Sequence, residues 1–128
     1  MDQTEITISD ALEKLINDNK ITKEDKIVFF GANKSTVFMI DKLAEYEKVA
    51  IVDNDVRKHG QIVSGLKVYA PEKYLHEYDS KIKILIASEY YREMCEQLEE
   101  LGYKESKAVF AVWKGRRYYD ISEETFNY

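Results

Sequence analysis

Short runs of apolar residues alternate along the chain with segments whose apolar residues recur every three or four positions. Three of these runs, at residues 27–30, 49–52 and 82–87, end abruptly at glycine or polar residues. Nearly continuous apolar runs of this length are typical of strands buried on both faces of a sheet. A fourth run, at residues 108–112, predicts a last strand at the edge of that sheet.

Two segments in the first third of the chain have helical spacing. Residues 9–16 place apolar side chains on one stripe, and Ser9 is the expected N-cap of this helix. Residues 33–46 repeat the pattern after the first strand, with Asn33 and Ser35 as alternative caps. The chain therefore begins with an amphipathic helix and continues as a strand followed directly by a second helix.

The middle of the chain predicts a loop and two further helices. Residues 54–67 are mostly polar, contain two glycines and are expected to form one edge of a ligand crevice. Pro71 fits the first turn of a short helix over residues 71–76. Residues 89–101 predict a longer amphipathic helix, which stops at Gly102.

This alternation predicts an α/β domain of three layers, with a mostly parallel sheet of four to five strands and helices on both of its faces. At 128 residues the chain is long enough for one core and too short for two. We divide the single domain, residues 1–128, into an N-terminal helix and loop at 1–25, an α/β core at 26–112 and an aromatic C-terminal tail at 113–128.

Composition and charge exclude several classes of protein. The formal net charge is −5 and the basic cluster at residues 114–117 is short, so nucleic acid is not an expected partner. No apolar run approaches the roughly 18 residues of a membrane span, and the start of the chain is acidic and polar, so we expect a cytoplasmic protein. The single cysteine, Cys95, fits a helical pattern as a small buried hydrophobe.

The turn after the first strand is the first candidate ligand site. Gly31, Ala32, Asn33, Lys34 and Ser35 lie between a strand and a helix, where backbone N–H groups and the helix dipole favour an anion. A dinucleotide fingerprint requires glycine at the first, third and sixth positions, and only the first is glycine here. Asn33 at the third position disfavours NAD in its standard pose, and a turn without any ligand is the alternative interpretation.

The other candidates follow the second and third strands. Asp53 comes after Gly31 at about the 20-residue spacing of the acid that binds a ribose hydroxyl, and Asn54 adjoins it. Asp53 could equally cap the turn that closes its strand. After the third strand, Ser88 is expected to cap the next helix, and Tyr90 could stack on a base or a sugar.

No residue pattern identifies a catalytic group or a metal site. His59 and His76 are the only histidines, and neither has a second ligand at metal-binding spacing. The chain has neither a nucleophile elbow nor a convincing pair of cysteine and histidine. We therefore predict no metal and assign no catalytic residue.

The C-terminal tail predicts either a packed segment or a joint to a partner. An aromatic centre is typical of protein interfaces, whereas a mixture of basic and aromatic residues can also grip phosphate or a single-stranded base. Its aromatic and basic side chains are Trp113, Lys114, Arg116, Arg117, Tyr118, Tyr119, Phe126 and Tyr128.

Four blocks of sequence, taken in order, carry a family resemblance. They are residues 27–32, residues 52–55 with the glycines that follow, residues 68–72 and residues 84–88. In these blocks the chain resembles the small Rossmann-like domains of bacterial surface-polysaccharide and sugar-modifying enzymes, which accompany sugar acetyltransferases, epimerase/dehydratases and methyltransferases. The resemblance implies a Rossmann-like fold over about residues 26–102 and a nucleotide-sugar ligand, UDP-linked as a first guess, with NAD(P) as the other candidate. Lys34, in the family's glycine-rich turn, would offer its charge to a phosphate.

These observations leave three hypotheses for function. The preferred one is a nucleotide or nucleotide-sugar binding domain, accessory to bacterial surface-polysaccharide or sugar-modification metabolism, because of the spacing between Gly31 and Asp53. The alternative is a protein-interaction or dimerisation module that kept the fold and lost the ligand, which Asn33 favours and which would engage a second copy or a larger enzyme through the tail. A sugar-nucleotide enzyme ranks last. Since family members keep catalysis in an additional domain, the chain is expected to be an accessory domain or part of a larger protein.

Overall fold

A computed structural model describes residues 1–115, in which one sheet lies between two layers of helices. The predicted tail residues from Arg116 to Tyr128 lie outside the described part of the chain. The helices are α1 (Gln3–Asn17), α2 (Lys34–Lys42), α3 (Pro71–Tyr74) and α4 (Tyr91–Glu100), and a 3-10 turn spans Val56–Lys58. The strands are β1 (Lys26–Phe30), β2 (Glu47–Val52), β3 (Ile62–Val63), β4 (Leu66–Tyr69), β5 (Ile82–Ala87) and β6 (Val109–Trp113).

The six strands follow the order β3-β4-β2-β1-β5-β6. All neighbours pair in parallel except β3 and β4, which form an antiparallel hairpin at one edge. The first strand, β1, lies near the centre of the sheet. The strands β2, β4 and β3 lie on one side of it, and β5 and β6 lie on the other side. The strand order therefore reverses between β1 and β5, the position where open α/β sheets bind ligands.

Side chains of β1 alternate between two cores, one on each face of the sheet. Ile27 and Phe29 pack with α1 and α2, whereas Val28 and Phe30 pack with α4 and the end of α3. All four side chains are at most 1% exposed. Because both faces are covered, the strand needs apolar residues at every position, which explains its continuous apolar run.

The prediction that Ser9 caps the first helix is wrong. The N-cap of α1 is Asp2, seven residues before Ser9, and the helix begins at Gln3. The Asp2 carboxylate accepts the N–H of Glu5, while the Glu5 carboxylate accepts the N–H of Asp2. This reciprocal capping box satisfies two N–H groups at the helix start. The longer helix also buries Ile8, which is fully covered against the sheet.

The sheet has six strands rather than the expected four to five, because residues 62–69 form a hairpin where a loop was predicted. Ser64 and Gly65 both have positive φ, of 50° and 86°, which is the geometry of a two-residue hairpin turn. The strands it joins, β3 and β4, are only two and four residues long. Runs this short carry little periodicity, so the glycine was the available signal.

Helix ends also differ from the predicted bounds. The helix α2 stops at Lys42 instead of residue 46, and Nζ of Lys48 donates to the carbonyl of Leu43 at 2.6 Å, just beyond this end. Similarly, α3 ends at Tyr74 and α4 starts at Tyr91, two residues inside each prediction. No helix in residues 1–115 is long and apolar enough to span a membrane.

Candidate functional site

The carboxyl ends of three neighbouring strands define the candidate site. In β1, Phe30 pairs with Val52 of β2 on one side and with Ile86 of β5 on the other, so the three strands end at nearly the same level. The turns that follow, at residues 31–33, 53–55 and 88–90, therefore lie along one edge of the sheet. These are the turns that carry most of the predicted binding residues.

The first turn is held by a glycine and a helix cap. Gly31 is buried with a φ of 116°, and its N–H donates to the carbonyl of Val52 at 2.8 Å. Oδ1 of Asn33 accepts the N–H of Thr36 at 3.0 Å, so Asn33 is the cap of α2 and Ser35 is not. The hydroxyl of Thr36 donates a hydrogen bond to the carbonyl of Gly31. Asn33 at the third position of the glycine fingerprint thus has a local structural role.

Asp53 reaches across from β2 to this first turn. Its Oδ2 accepts the N–H of Ala32 at 2.8 Å, and its Oδ1 accepts the N–H of Asp55 at 2.8 Å. The side chain is only 15% exposed. The structure therefore brings Ala32 and Asp53 together, and the bond to Asp55 is the turn-closing role that was the alternative interpretation of Asp53.

Lys58 and His59 belong to the site although the sequence did not single them out for binding. Nζ of Lys58 donates to the carbonyl of Ala32 at 3.1 Å and lies 3.9 Å from Oδ2 of Asp53. Nε2 of His59 lies 2.6 Å from the carbonyl oxygen of Asp53, and since a carbonyl only accepts, this nitrogen carries the proton. The available signal was their place in the loop expected to edge the crevice.

Asp55 and Arg57 form a separate pair on the second turn. The guanidinium of Arg57 donates from Nε and from one terminal nitrogen to the Asp55 carboxylate, both at 3.0 Å. This pairing, with the backbone N–H of Arg57, lowers the pKa of Asp55 to about 2. The positive charge of Arg57 is therefore engaged outside the space between Ala32 and Asp53.

Asn54 turns away from the first turn and binds α4. Its side-chain amide exchanges two hydrogen bonds of 2.9 Å with the amide of Gln97, which also donates to Glu72 at 2.8 Å. This chain of three side chains ties the end of β2 to α3 and α4. Asn54 thus lies at the predicted edge, but its amide is already paired within the chain.

The third turn, at residues 88–90, contacts the end of β6. The N–H of Ser88 donates to the carbonyl of Trp113 at 3.0 Å, and the Ser88 hydroxyl accepts the N–H of Tyr90 at 3.0 Å. A Cβ added to Gly115 would meet the backbone of Glu89 at 3.2 Å, so the chain leaving β6 passes against this turn. The prediction that Ser88 caps this helix is wrong: α4 begins at Tyr91, its N-cap position is Tyr90, and the Ser88 bond closes the turn before the helix. Tyr90 itself is 67% exposed.

Lys34 and Ser35 stand at the start of α2, beside the N-terminus of α1. Within residues 1–115, no acceptor lies on the backbone N–H of either residue. Lys34 is exposed and also borders an open groove of about 460 Å³ between the two helices, whose lining includes Glu5 and Phe38. The two free N–H groups, at the positive end of the helix, are donors that remain available to an anion.

A phenol and a thiol near the third turn, those of Tyr91 and Cys95, have raised pKa values, which favour their protonated and less reactive forms. Burial raises the pKa of the Tyr91 phenol, whose hydroxyl donates to the carboxylate of Glu105. Burial likewise raises the pKa of the Cys95 thiol, which is 6% exposed, as expected for a small buried hydrophobe. Among the described residues, no group of His, Cys, Asp and Glu is arranged to hold a metal ion.

The fold and this edge define a Rossmann-like α/β domain. A family model described as "C2185-like, N-terminal" matches residues 23–109, and the chain belongs to this family. Among solved structures the chain is similar to UDP-D-quinovosamine 4-dehydrogenase from Vibrio fischeri, with a TM-score of 0.53 and 23% identity over 69% of this chain and 75% of that one. At that identity the likeness concerns the fold. A search of curated proteins found no significant match.

Proposed function

We propose that the edge formed by the turns after β1, β2 and β5 binds a nucleotide or nucleotide-sugar. The observation that carries this proposal is the position of Asp53, whose carboxylate Oδ2 lies 2.8 Å from the backbone nitrogen of Ala32. Ala32 follows the central strand β1, and the strand order reverses on the other side of that strand, between β1 and β5. In sheets of this type an acid at the end of the second long strand binds ribose hydroxyls. A nucleotide here would place its ribose on Asp53.

The phosphates would lie at the start of α2. The N–H groups of Lys34 and Ser35 have no acceptor within residues 1–115, and the Lys34 side chain adds a full positive charge. The Ala32 N–H is already bonded to Asp53, so the phosphates would use the donors beyond it. The third turn, with Ser88 and the exposed Tyr90, would flank the base or the sugar.

The resemblance to domains of surface-polysaccharide and sugar-modifying enzymes, together with the printed name of the Vibrio fischeri structure, supports a UDP-linked sugar as the first ligand to test. NAD(P) is the second candidate. The domain would act as an accessory binding part in sugar modification, and we assign it no catalytic residue.

The test is a thermal-shift panel of UDP-, CDP-, GDP- and dTDP-sugars with NAD and NADP. A ligand at 100 times its Kd adds about 2.7 kcal/mol to the stability of the folded state, roughly a 10 °C rise in Tm for a domain of this size. Asp53→Asn keeps the shape of the side chain and should abolish a selective rise. Asp41→Asn, an equal charge change at an exposed residue of α2, should preserve it.

A second function is favoured by the contacts already made inside the chain. Asp53 is bonded to Ala32 and Asp55, and Asn54 to Gln97, so two predicted ligand groups have partners without a ligand. This is expected of a protein-interaction or dimerisation module, in which these side chains would have no ligand to bind. It predicts no Tm response to any nucleotide and a complex, with itself or another protein, in sedimentation velocity.

A further inference from the structure

A basic groove of about 380 Å³ lies at the amino ends of β5 and β6, on the edge of the sheet opposite the candidate site. Three of the residues that line this amino-edge groove are lysines, Lys83, Lys104 and Lys107, and none is acidic. We propose that the amino-edge groove binds the acidic and aromatic segment at residues 118–128 of the same chain. None of its lining residues belongs to the proposed nucleotide site, so this inference does not depend on nucleotide binding.

The groove carries positive charge that the surrounding chain does not neutralise. Nζ of Lys83 lies 3.4 Å from Oδ1 of Asp25, so this charge is balanced. Lys104 and Lys107 are exposed, and within residues 1–115 neither ammonium has an ion-pair partner. The N–H of Lys107 donates to the carbonyl of Lys104 at 3.2 Å, so both lysines belong to one tight turn. Two positive charges are therefore available to a ligand, in a chain whose formal net charge is −5.

An exposed aromatic ring lines the same groove and is held in place from behind. Tyr78 is 59% exposed, and its ring centroid lies 5.1 Å from that of the buried Tyr103. The Tyr103 hydroxyl accepts the N–H of Asp79 at 3.0 Å, which fixes the backbone next to Tyr78. A Cβ added to Gly102 would lie 3.4 Å from the Tyr78 ring, so the ring packs directly on this glycine. A ring that is already positioned loses little conformational freedom when a ligand packs on it.

The charge and composition of residues 118–128 match this groove. The segment has three acidic residues, Asp120, Glu123 and Glu124, and no basic residue, with aromatic residues on both sides of the acids. Its carboxylates suit the two available lysine ammoniums, and its aromatic side chains suit the exposed ring of Tyr78. Duplex nucleic acid fits less well, because it binds through many phosphate contacts and the described residues of the groove offer two available positive charges.

The segment is long enough to reach the groove from the point where the described residues end. Gly115 follows the carboxyl end of β6, a strand of five residues and roughly 16 Å. Asp120 and Glu124 come five and nine residues after Gly115, a maximum span of roughly 17–32 Å. Within residues 1–115 no strand pairs with the outer edge of β6, so no described strand covers this path. The short connection also gives the segment a high effective concentration at its own groove, which favours it over the segment of a second copy.

A disulfide between the groove and the segment tests the proposal without changing any charge that it invokes. Ser80→Cys lies in the groove, Thr125→Cys lies in the segment, and Cys95→Ala removes the single native thiol. The matched control pairs Thr125→Cys with Gln61→Cys, at an exposed position next to β3 and about five strand spacings, roughly 24 Å, from β6. Residue 125 can span roughly 33–36 Å from Gly115, so chain length allows both disulfides. In a glutathione buffer we expect the effective concentration of the two thiols to be at least tenfold higher for the groove pair than for the control pair.

Charge variants then assign the docking to the two lysines. Lys104→Gln together with Lys107→Gln should lower the effective concentration of the groove pair to that of the control pair. Lys67→Gln together with Lys73→Gln removes the same charge at exposed positions outside the groove and should leave the value unchanged. Raising the salt concentration to 1 M should lower the value for the groove pair, because exposed ion pairs are screened. Circular dichroism confirms that each variant is folded.

A second measurement keeps the native cysteine and needs no disulfide. Glu123→Gln together with Glu124→Gln removes two carboxylates from the segment and leaves residues 1–115 unaltered. In the ¹⁵N–¹H spectrum this change should shift the amide signals of Tyr78, Lys104 and Lys107, while the signal of Gln61 stays in place.

Each outcome decides for or against the docking of the segment. A high effective concentration in the groove pair that the lysine variants remove supports the proposal, as do the amide shifts in the groove. Equal values for the groove and control pairs overturn it, as does a high value that the lysine variants leave unchanged. A disulfide-linked dimer in place of the disulfide within one chain also overturns it and assigns the groove to a second copy.

Discussion

Replacing Gly31 should destabilise the first turn of the candidate site. Its φ of 116° lies in a region that side-chain-bearing residues rarely adopt, and a Cβ there would meet Nδ2 of Asn33 at 2.8 Å. The same Asn33 side chain caps α2 through the N–H of Thr36. Gly31→Ala therefore strains the backbone and pushes the cap out of place at once.

The expected loss of stability combines three contributions. An alanine in this backbone region costs about 1–3 kcal/mol in strain, and displacing the Asn33 cap costs about 1 kcal/mol more. Restricting the unfolded chain offsets roughly 0.4–1 kcal/mol of this. The net free energy of unfolding should fall by about 2 kcal/mol, which lowers the urea midpoint by about 1 M at an ordinary m-value near 2 kcal/mol/M.

Urea unfolding followed by circular dichroism measures this loss, and two comparisons isolate its causes. Gly60→Ala is the control for strain, since its φ is 85° and a Cβ there meets nothing within 4 Å. In an Asn33→Ala background the side chain that the new Cβ would displace is absent, and the cap has already been lost. Gly31→Ala should therefore lower the free energy of unfolding by about 1 kcal/mol less there than in the original chain. An equal cost in both backgrounds would refute the account based on Asn33.

Three further predictions concern the fold around the site. Asp2→Ala should lower the unfolding free energy by about 1 kcal/mol, measured in urea, because it removes the capping box of α1. Leu98→Ala, at a fully buried position of α4, should cost about 2–5 kcal/mol in the same assay. Glu105 has a pKa below its ordinary value of 4.5, first because the Tyr91 hydroxyl donates to it and also because Arg92 lies beside it. A lowered pKa stabilises the fold above about pH 4.5, and this contribution is lost as pH falls through the folded-state pKa. The stability difference between the original chain and Glu105→Gln should therefore be present at pH 7 and shrink towards pH 3.

Two of these predictions have a control at an exposed acidic residue. Asp10→Ala changes the same charge on an exposed part of α1 and should leave stability within about 0.5 kcal/mol. Glu99→Gln does the same for Glu105, because its exposed carboxylate has no partner among the described residues. A pH-independent effect of Glu105→Gln would contradict the assignment of its carboxylate to Tyr91. A loss below 1 kcal/mol for Leu98→Ala would contradict its place in the core.

The sequence did not determine which side of the second helix faces the core. Val37 is an apolar residue within the predicted helix over residues 33–46 but is 41% exposed, whereas the polar Thr36 beside it is buried and donates to the carbonyl of Gly31. The spacing of apolar residues does indicate a helix here. Which side of it meets the sheet depends on how α1 covers α2, and that contact joins distant parts of the chain.

Local patterns were sufficient for the four longer strands, but not for the short hairpin of β3 and β4. The run at residues 82–87 coincides with β5, because a strand covered on both faces must be apolar throughout. The turn at Gly31 was also predicted from sequence, and Asn33 was one of the two residues predicted to cap the helix after it, since both features depend on residues within a few positions of each other. Asp53 was predicted as a binding residue from its spacing after Gly31, which reflects the length of one strand–helix–strand unit.

The contacts across the site were decided by the tertiary structure alone. Lys58 meets Ala32, and Asn54 meets Gln97, because the strand order and the packing of α4 bring together segments 26 and 43 residues apart. The sequence pattern does not indicate which turn a polar side chain will contact, since lysine and asparagine side chains are also stable in solvent. Apolar patterns predict most of the buried strand positions, and only the assembled sheet determines which polar groups then face one another.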